Sequence, residues 1–559
     1  MNKILDNDYY DFIISNSLIP SNDLSENVTK LNSDYSLLHL AKKNMQACDL
    51  GLHPYENFPS IFTLTSTISS DPPDSAAVAD QLLSNYMGLG IVIGIIDTGI
   101  DYSHPAFQNH DGTTRILSIW DQTDQTGKPP SGFAFGSEYT KNHINTALKS
   151  PLPLNIVPEV DTVGHGTAIS SIISGSRDEK NSFVGIVPES KLAVVKLKEA
   201  KDNLKQIYFI PTHSLCYQES DIMLGIRYLL GVAEQLNRPL ILCICMGSSQ
   251  GGHDGRGPLG SYLDQLTRQP RIGTVIAAGN EAALKRHYYC YSHTPPFYSS
   301  FDLKVGMEDR MFSMEIWPFP AGRITLELYS PDCEIVSSHY TSINTCQTFS
   351  LLQGQSSVFI NNIILEGSTG DQMILVRFNN PLPGIWHCRV KSEGNEPFSF
   401  HCWLPSGNLI TADTYFYQSN PNTTITSPGD ARVPLTVTAY NQLDNCILEE
   451  SGRGFSRFGE IVPDVSAPGF KIPCALPENR YGTLTGTGAA AAHAAGAAAM
   501  IMEWGFIRGN HTPITGVKAN RMIIRCAKRD NAYFYPNNIW GYGRIDMHHF
   551  FEQISTFTS

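Results

Sequence analysis

The 559-residue sequence lacks a continuous apolar run approaching the roughly 20 residues that a membrane-spanning helix needs. Its amino terminus, MNKILDNDYYDF, has one early lysine followed by acids and tyrosines, and no apolar stretch typical of a secretion signal. We therefore expect a chain with no signal peptide and no transmembrane segment. Such a protein would be retained in the cytoplasm or in a compartment derived from it.

The chain also has fewer basic than acidic residues, with 40 Lys and Arg and 53 Asp and Glu. The resulting net charge of −13 argues against nucleic acid as a partner. Cys-x-x-Cys pairs are absent, and several of the 12 cysteines lie in apolar runs, as Cys243 and Cys245 do. This pattern favours buried, reduced thiols over a disulfide framework. We predict neither a metal site nor a cofactor.

Short apolar runs alternate with helical patterns over much of the chain. The runs are IVIGII (91–96), KLAVVKL (191–197), LILCICM (240–246), TVIAA (274–278) and LTVTA (435–439). Helical patterns lie between them, notably over 221–236 and in the alanine-rich stretch 489–504. This alternation predicts an α/β fold with a doubly wound parallel sheet, whose functional residues follow the carboxyl ends of strands.

Two stretches do not follow the alternation. Residues 1–75 have a weak pattern and end in STISSDPPDS, which is typical of a linker. Between 284 and 433 short alternating runs such as ITLELYS and MILVRF replace the helices. They predict an inserted all-β sandwich or jelly roll. The predicted division is an N-terminal domain over 1–75, a core formed by 76–283 and 434–559, and an insertion over 284–433.

Three segments carry residues that could act together in acyl transfer. GIIDTGIDYSHPAF places Asp97 at a strand end, DTVGHGTAISSIISG places His165 before a helix, and GTLTGTGAAAAHAAGAAAM opens a long helix. The chemistry needs a carboxylate that orients an imidazole, an imidazole that deprotonates a nucleophile, and a donor for the oxyanion, which Asn280 in TVIAAGN could supply. Alternatively, Asp97 and His165 persist as a buried pair that is costly to break, and Asn280 only satisfies backbone groups.

These motifs resemble those of the subtilase family of serine peptidases. The order of the motifs matches, as do the phrases DTG, GHGT, AAGN, PDVSAPG (463–469) and WGYGRID (540–546). The resemblance covers residues 91–546 and implies a subtilisin-like fold with the site of a serine-type endopeptidase. It also implies that Met246, Gly247 and Ser248 line the substrate groove.

The third motif departs from the family pattern. The family has a serine after Gly-Thr at the start of the helix, whereas this chain reads Gly486-Thr487-Gly488, so Gly488 stands at the nucleophile position. Glycine has no oxygen with which to form an acyl-enzyme, and in subtilisin the loss of this serine lowers kcat by about 2 × 10⁶. Thr485 and Thr487 are the nearest hydroxyls, and in the family geometry both point elsewhere.

Longer phrases resemble the clostridial Csp germination proteases and their relatives, among them RILSIWDQT (115–123) and SGRGFSRFGEIVPDVSAPG (451–469). That family combines the core with a prodomain and a jelly-roll insertion. Its active members process a spore cortex-lytic pro-enzyme, and some members are pseudoproteases that act in sensing germinants. The resemblance implies that residues 1–75 are a prosegment. Without the serine oxygen, we expect this prosegment to remain attached in the groove.

Three hypotheses follow for the function. The chain is a pseudoprotease with a regulatory or binding role in spore germination, held to a protein partner and to its own prosegment. Alternatively it is a serine endopeptidase that processes a pro-enzyme, through another nucleophile or because the glycine is an introduced change. The third hypothesis is an assembly role in a spore or cytoplasmic complex, with the β insertion as the contact surface.

Overall fold

The computed structural model describes residues 2–19, 27–44, 53–71, 85–319, 323–337 and 345–556. The N-terminal 71 residues contain β1 Tyr9–Ser15, β2 Val28–Lys30, β3 Tyr35–Ala41, β4 Ile61–Leu64 and β5 Thr67–Ser69. Residues 85–283 contain β6 Val92–Asp97, β7 Ile116–Asp121, β8 Ser137–Thr140, α1 Lys141–Leu148, α2 His165–Ser174, β9 Lys191–Lys196, α3 Asp202–Ile207, β10 Tyr217–Gln218, α4 Glu219–Gln235, β11 Leu240–Ile244, β12 Met246–Gly247, α5 Pro258–Thr267 and β13 Ile272–Ala277.

The second half of the chain is first all-β and then mixed. Residues 287–416 contain β14 His287–Ser292, β15 Tyr298–Val305, β16 Met311–Pro318, β17 Ile324–Tyr329, β18 Ile335–Ser337, β19 Thr345–Leu351, β20 Ser356–Ile363, β21 Met373–Asn379, β22 Gly384–Ser392, β23 Phe398–Trp403 and β24 Tyr415–Phe416. The remaining elements are β25 Leu435–Asn441, β26 Cys446–Ile447, β27 Val465–Pro468, β28 Ile472–Leu476, β29 Arg480–Thr485, α6 Thr487–Met502, α7 Gly516–Cys526 and α8 Met547–Thr556.

A nine-stranded sheet forms the centre of the fold, in the order β26-β25-β13-β11-β6-β9-β7-β8, with β27 also paired to β25. Its inner pairs are parallel. Along β6, Ile93 and Ile95 face a core that α2 and α6 cover, whereas Val92 and Ile96 face a core that α4 and α5 cover. Because successive strand residues point to opposite faces, both faces of the sheet are buried. The predicted parallel α/β fold is confirmed.

Helix α6 runs through the larger of these cores. Its alanines are buried along their whole length and let it approach the sheet and α2 closely. The helix continues as a π-helical turn over Glu503–Ile507. The whole stretch, Thr487–Ile507, is long and apolar enough to cross a membrane, and 78% of the most apolar window is buried inside the fold. The packing of α6 within the core therefore accounts for its apolar composition.

Residues 287–416 form two antiparallel sheets whose inner faces share one apolar core. The sheet orders are β14-β23-β16-β21-β20-β19 and β18-β17-β22-β15-β24. Ten of the described cysteines are free, and seven of these are buried, as predicted for thiols in apolar runs. Cys346 on the edge strand β19 is disulfide-bonded, so the expectation of reduced thiols is wrong there. Its neighbours, in the polar run NTCQT, give it no apolar surroundings of the kind that favour a free thiol.

The N-terminal region is joined to the rest by buried polar and aromatic contacts. Strands β1, β3 and β2 form an antiparallel sheet. Asp11 on β1 accepts a hydrogen bond from Lys201 Nζ at 3.0 Å and, through its other oxygen, pairs with His39 Nδ1 at 2.7 Å, and all three side chains are buried. Burial alone would raise the pKa of Asp11, but the hydrogen bond with His39 and the charge of Lys201 lower it on balance. Tyr55 donates to Glu315 of the two-sheet unit at 2.5 Å.

Candidate active site

Asp97 and His165 meet at the carboxyl edge of the parallel sheet. Asp97 is the last residue of β6, and His165 is the first residue of α2. His165 Nδ1 lies 2.8 and 2.9 Å from the two carboxylate oxygens of Asp97, and both side chains are buried. Asp97 also accepts a hydrogen bond from Thr98 N at 2.8 Å. The carboxylate therefore fixes the imidazole and leaves Nε2 directed away from it.

Asp161 holds the two halves of this pair together, a role that the sequence did not indicate. One of its oxygens accepts from Thr98 Oγ1, next to Asp97, and from Gly164 N, each at 2.8 Å. The other accepts from Thr167 N at 2.9 Å and from Thr167 Oγ1 at 2.7 Å. This carboxylate ties the end of β6 to the first turn of α2. Its position in the phrase DTVGHGT, four residues before His165, was the available signal.

Asn280 and Gly488 form the second half of the site. Asn280 follows β13, and Gly488 lies in the first turn of α6. Asn280 Oδ1 accepts from Thr487 N at 3.1 Å and from Thr487 Oγ1 at 3.0 Å, which turns Nδ2 of the same amide toward the cleft. Thr487 Oγ1 in turn accepts from Gly279 N at 3.0 Å. Asn280 Nδ2 and the Gly488 N–H thereby become two donors aimed at one point.

That point is occupied by the chain itself. The carbonyl oxygen of Thr65 accepts from Asn280 Nδ2 at 2.6 Å and from Gly488 N at 3.1 Å. On one side of Thr65, strand β4 lies between β10 and β12 and pairs antiparallel with both. On the other side, β5 pairs antiparallel with β29. Residues 61–69 therefore cross the site as an extended strand, in the manner of a bound peptide. The interpretation of residues 66–75 as a linker is wrong for 67–69, because their backbone groups bond to β29; residues 72–75 lie outside the described part of the chain.

The three residues predicted to line the groove divide into two groups. Met246 and Gly247 form β12 and pair with Leu64 and Thr63 of the bound strand. Ser248 instead exchanges backbone hydrogen bonds with Ser427, at 2.9 and 2.8 Å. Its backbone contact is therefore with residue 427 and not with the bound strand.

Near the site, the Thr426 side chain fills the space between two backbones. A Cβ atom on Gly247 would lie 2.8 Å from Thr426 Cβ, and one on Gly279 would lie 2.8 Å from Thr426 Cγ2. Gly247 precedes Ser248 on the wall that pairs with β4, and Gly279 precedes the oxyanion donor Asn280. The side chain of Thr426 therefore lies between the wall that pairs with β4 and the backbone that carries the oxyanion donor.

Thr487, Thr485 and Cys245, which lie near Gly488 in the sequence or in the fold, are not placed as nucleophiles. Thr487 Oγ1 is engaged with Asn280 and Gly279, as above, and Thr485 Oγ1 accepts from Lys471 N at 3.0 Å. Cys245 Sγ lies 3.5 Å from the Gly488 carbonyl oxygen, and burial raises the pKa of this thiol well above its usual value, so it stays protonated. Among the described residues, no cluster of three or more histidine, cysteine or acidic side chains could hold a metal ion.

The geometry thus combines a buried Asp–His pair, a two-donor hole and an extended strand in the cleft, which is the arrangement of a subtilisin-like serine peptidase. The model of the subtilase family matches residues 88–297 and 388–543, more than half of the chain. The chain belongs to the subtilase family.

Solved and curated relatives agree with this assignment. The structure of the Clostridium perfringens CspB protease superposes with a TM-score of 0.73 at 27% identity, covering 84% of this chain and 96% of that one. The chain is therefore a subtilase related to the Csp-type proteases. Subtilisin-like protease 10 of Arthroderma otae is 40% identical over 79 residues, 14% of this chain and 19% of that relative. Subtilisin-like protease SBT1.9 of Arabidopsis thaliana is 33% identical over 134 residues, 20% of this chain and 17% of that relative. The curated matches span about a fifth of those proteins or less.

Proposed function

We propose that this chain is a pseudoprotease, in which the subtilase scaffold binds peptide strands without cleaving them. The observation that carries the proposal is at Gly488. The backbone N–H there is directed at the Thr65 carbonyl oxygen at 3.1 Å, as an oxyanion donor would be, but the residue has no side-chain oxygen to attack the carbonyl carbon. Acyl transfer needs that oxygen, because His165, oriented by Asp97, can only accept a proton from it.

The remaining groups suit a binding role. Asn280 and Gly488 hold a ground-state carbonyl, and strands β10, β12 and β29 bond to the backbone on both sides of it. Hydrogen bonds to the main chain give affinity for an extended peptide whatever its side chains. Without a chemical step, this interaction energy serves only to retain the strand.

Residues 1–75 are proposed to be a prosegment that stays covalently attached. The apolar cluster that Tyr55 and Phe58 share with Tyr208 of the core supports this role, since separating the two parts would expose this aromatic surface to water. The two-sheet unit over 287–416 is proposed to be the jelly-roll insertion of the Csp-type proteins. A regulatory role in spore germination, in the cytoplasm or the spore and with a protein partner, is proposed on the resemblance of the sequence phrases to the Csp-type proteins.

The intact mass of the purified protein tests the proposal. The native chain should keep its original terminus, because no group attacks the peptide bond after Thr65. A Gly488→Ser chain that also carries Ser66→Gly, which makes room for the new hydroxyl, should cut itself after residue 65. The matched control, Gly488→Ala with Ser66→Gly, should remain whole.

Three outcomes would decide against the proposal or sharpen it. A native chain that begins at Ser66 without added protease would show that another nucleophile acts, and would favour the serine endopeptidase. Labelling of the native chain by a fluorophosphonate would do the same. Self-cleavage of the serine variant that disappears on adding His165→Ala would show that the Asp–His pair is still competent.

A further inference from the structure

The space that a nucleophile would fill is occupied by another side chain. A Cβ atom placed on Gly488 would overlap Ser66 Oγ, and it would lie 3.1 Å from Thr65 Oγ1 and 3.3 Å from Cys245 Cβ. Ser66 is the residue immediately after the carbonyl that Asn280 and Gly488 hold. The strand in the cleft therefore inserts its own side chain over the glycine.

This contact is steric rather than polar. Ser66 Oγ is buried, and no described residue gives it a hydrogen bond. His165 Nε2, also buried, likewise has no hydrogen-bond partner among the described residues. Burying a hydroxyl without a partner is unfavourable, so the hydrogen bonds that the rest of the strand makes must offset it. The size of the side chain, and not a polar partner, therefore determines which residue fits over Gly488.

We infer that Gly488 forms a side-chain subsite, selective for glycine, alanine or serine, that receives the residue following the carbonyl held in the hole. The inference rests on the proposed binding role and deepens it. The ligand it implies is an extended peptide with two small residues in succession at its centre, as Thr65 and Ser66 are in the chain's own strand. The loss of the serine from α6 thus both removes chemistry and creates a recognition element.

A cycle of substitutions in the full chain tests the subsite. Gly488→Ala introduces only the Cβ atom that meets Ser66 Oγ, and it places a better helix former in α6. Hydrogen exchange of the amides over residues 61–69 should become at least about tenfold faster, because overpacking of a tight site is destabilising. Adding Ser66→Gly should return exchange to near the native rate. Unchanged exchange in Gly488→Ala, or no rescue by Ser66→Gly, would overturn the inference.

A second experiment measures recognition in trans and uses the full chain with Ser66→Leu. Leucine does not fit over Gly488, so this chain's own strand should leave the cleft, which faster exchange of residues 61–69 would report. A fluorescent nonapeptide, IFTLTSTIS, should then bind with an affinity about tenfold or more above that of IFTLTLTIS, measured by anisotropy. Equal binding of the two peptides, or a Ser66→Leu chain that retains its own strand, would refute the subsite. Self-cleavage of the native chain would defeat the proposed function and would be detected by its intact mass. It would not change which of the two peptides binds more tightly, so the two failures can be distinguished.

Discussion

Asn280 Nδ2 donates to the carbonyl oxygen of Thr65 at 2.6 Å, across 215 residues of sequence. The amide is held in this orientation because its own oxygen accepts twice from Thr487. A donor prepared for an oxyanion is here used on a neutral peptide carbonyl. The bond connects the N-terminal strand directly to the site, and its strength can be tested.

Asn280→Asp should loosen the strand. The variant keeps an oxygen for Thr487 but replaces the Nδ2 donor with a second oxygen that faces the Thr65 carbonyl. We expect amide protection over residues 61–69 to fall by about 1–3 kcal/mol, the cost of an unsatisfied buried group. Hydrogen exchange followed by mass spectrometry measures it, with the exchange of α6 as an internal reference. Unchanged protection of 61–69 would mean that the bond does not retain the strand.

Thr65→Phe should expel the strand through a steric conflict, because the Thr426 side chain fills the space between Gly247 and Gly279. The double variant Thr65→Phe with Thr426→Gly should regain part of the protection of residues 61–69, since removal of the Thr426 side chain opens the space between Gly247 and Gly279 but does not restore the hydrogen bond from residue 65 to Cys245. Limited proteolysis near residues 65–71 reports the difference. Thr65→Ser, which keeps the hydroxyl that donates to the Cys245 carbonyl oxygen at 2.8 Å, is the matched control and should resemble the native chain. A Thr65→Phe chain as resistant to proteolysis as that control would show that Thr426 sets no limit.

Lys201→Met should destabilise the folded protein strongly, because it leaves the Asp11 carboxylate in the interior with a weaker set of partners. Removing one member of a buried ion pair costs about 3–5 kcal/mol. The double variant Asp11→Asn with Lys201→Met should lose less free energy of unfolding than the two single variants lose in sum. Urea unfolding followed by tryptophan fluorescence provides the free energies. Additive losses would mean that the two side chains act independently.

Glu315→Gln should change how stability depends on pH. Burial raises the pKa of Glu315 to about 7, above the value of about 4.3 for an exposed glutamate. The stability contributed by the proton on this carboxyl is complete below about pH 4 and is lost as the pH rises through about 7. The glutamine variant, which can still accept from Gly251 and Trp317 and donate to Tyr55, does not have this loss. Its stability relative to the native chain should rise by about 3 kcal/mol between about pH 4.5 and pH 8. If the difference in unfolding free energy between the variant and the native chain is constant across that range, the pKa of Glu315 is not raised in the folded protein.

The sequence predicts the parts of the site that local pattern controls. Asp97 and Asn280 end buried apolar runs, so parallel strands bring them to one edge of the sheet, and the glycine-rich turn before α6 places Gly488 beside them. The predicted helix starts are two residues late, because α4 begins at Glu219 and α6 at Thr487. Their polar or glycine-rich first turns carry little of the apolar periodicity on which the prediction depends.

The path of residues 61–69 was not predictable in the same way. These residues are few and rich in serine and threonine, and they form strands only because distant backbones at 217–218, 246–247 and 483–485 pair with them. The position of Thr426 was likewise not predictable. The sequence places this residue inside the predicted insertion, whereas in the structure it packs between Gly247 and Gly279. Such contacts depend on tertiary geometry and leave no periodic signal.

One apolar cluster draws on all three parts of the chain. Tyr55 and Phe58 of the N-terminal region meet Tyr208 of the core and Trp317 and Trp403 of the two-sheet unit. No boundary between these parts can be cut without exposing aromatic surface on both sides. The chain should therefore melt in a single cooperative transition, and a gene truncated at either boundary should yield aggregated protein instead of a smaller working unit. The effect of deleting one region would then reflect the unfolding of the whole protein and not the function of that region.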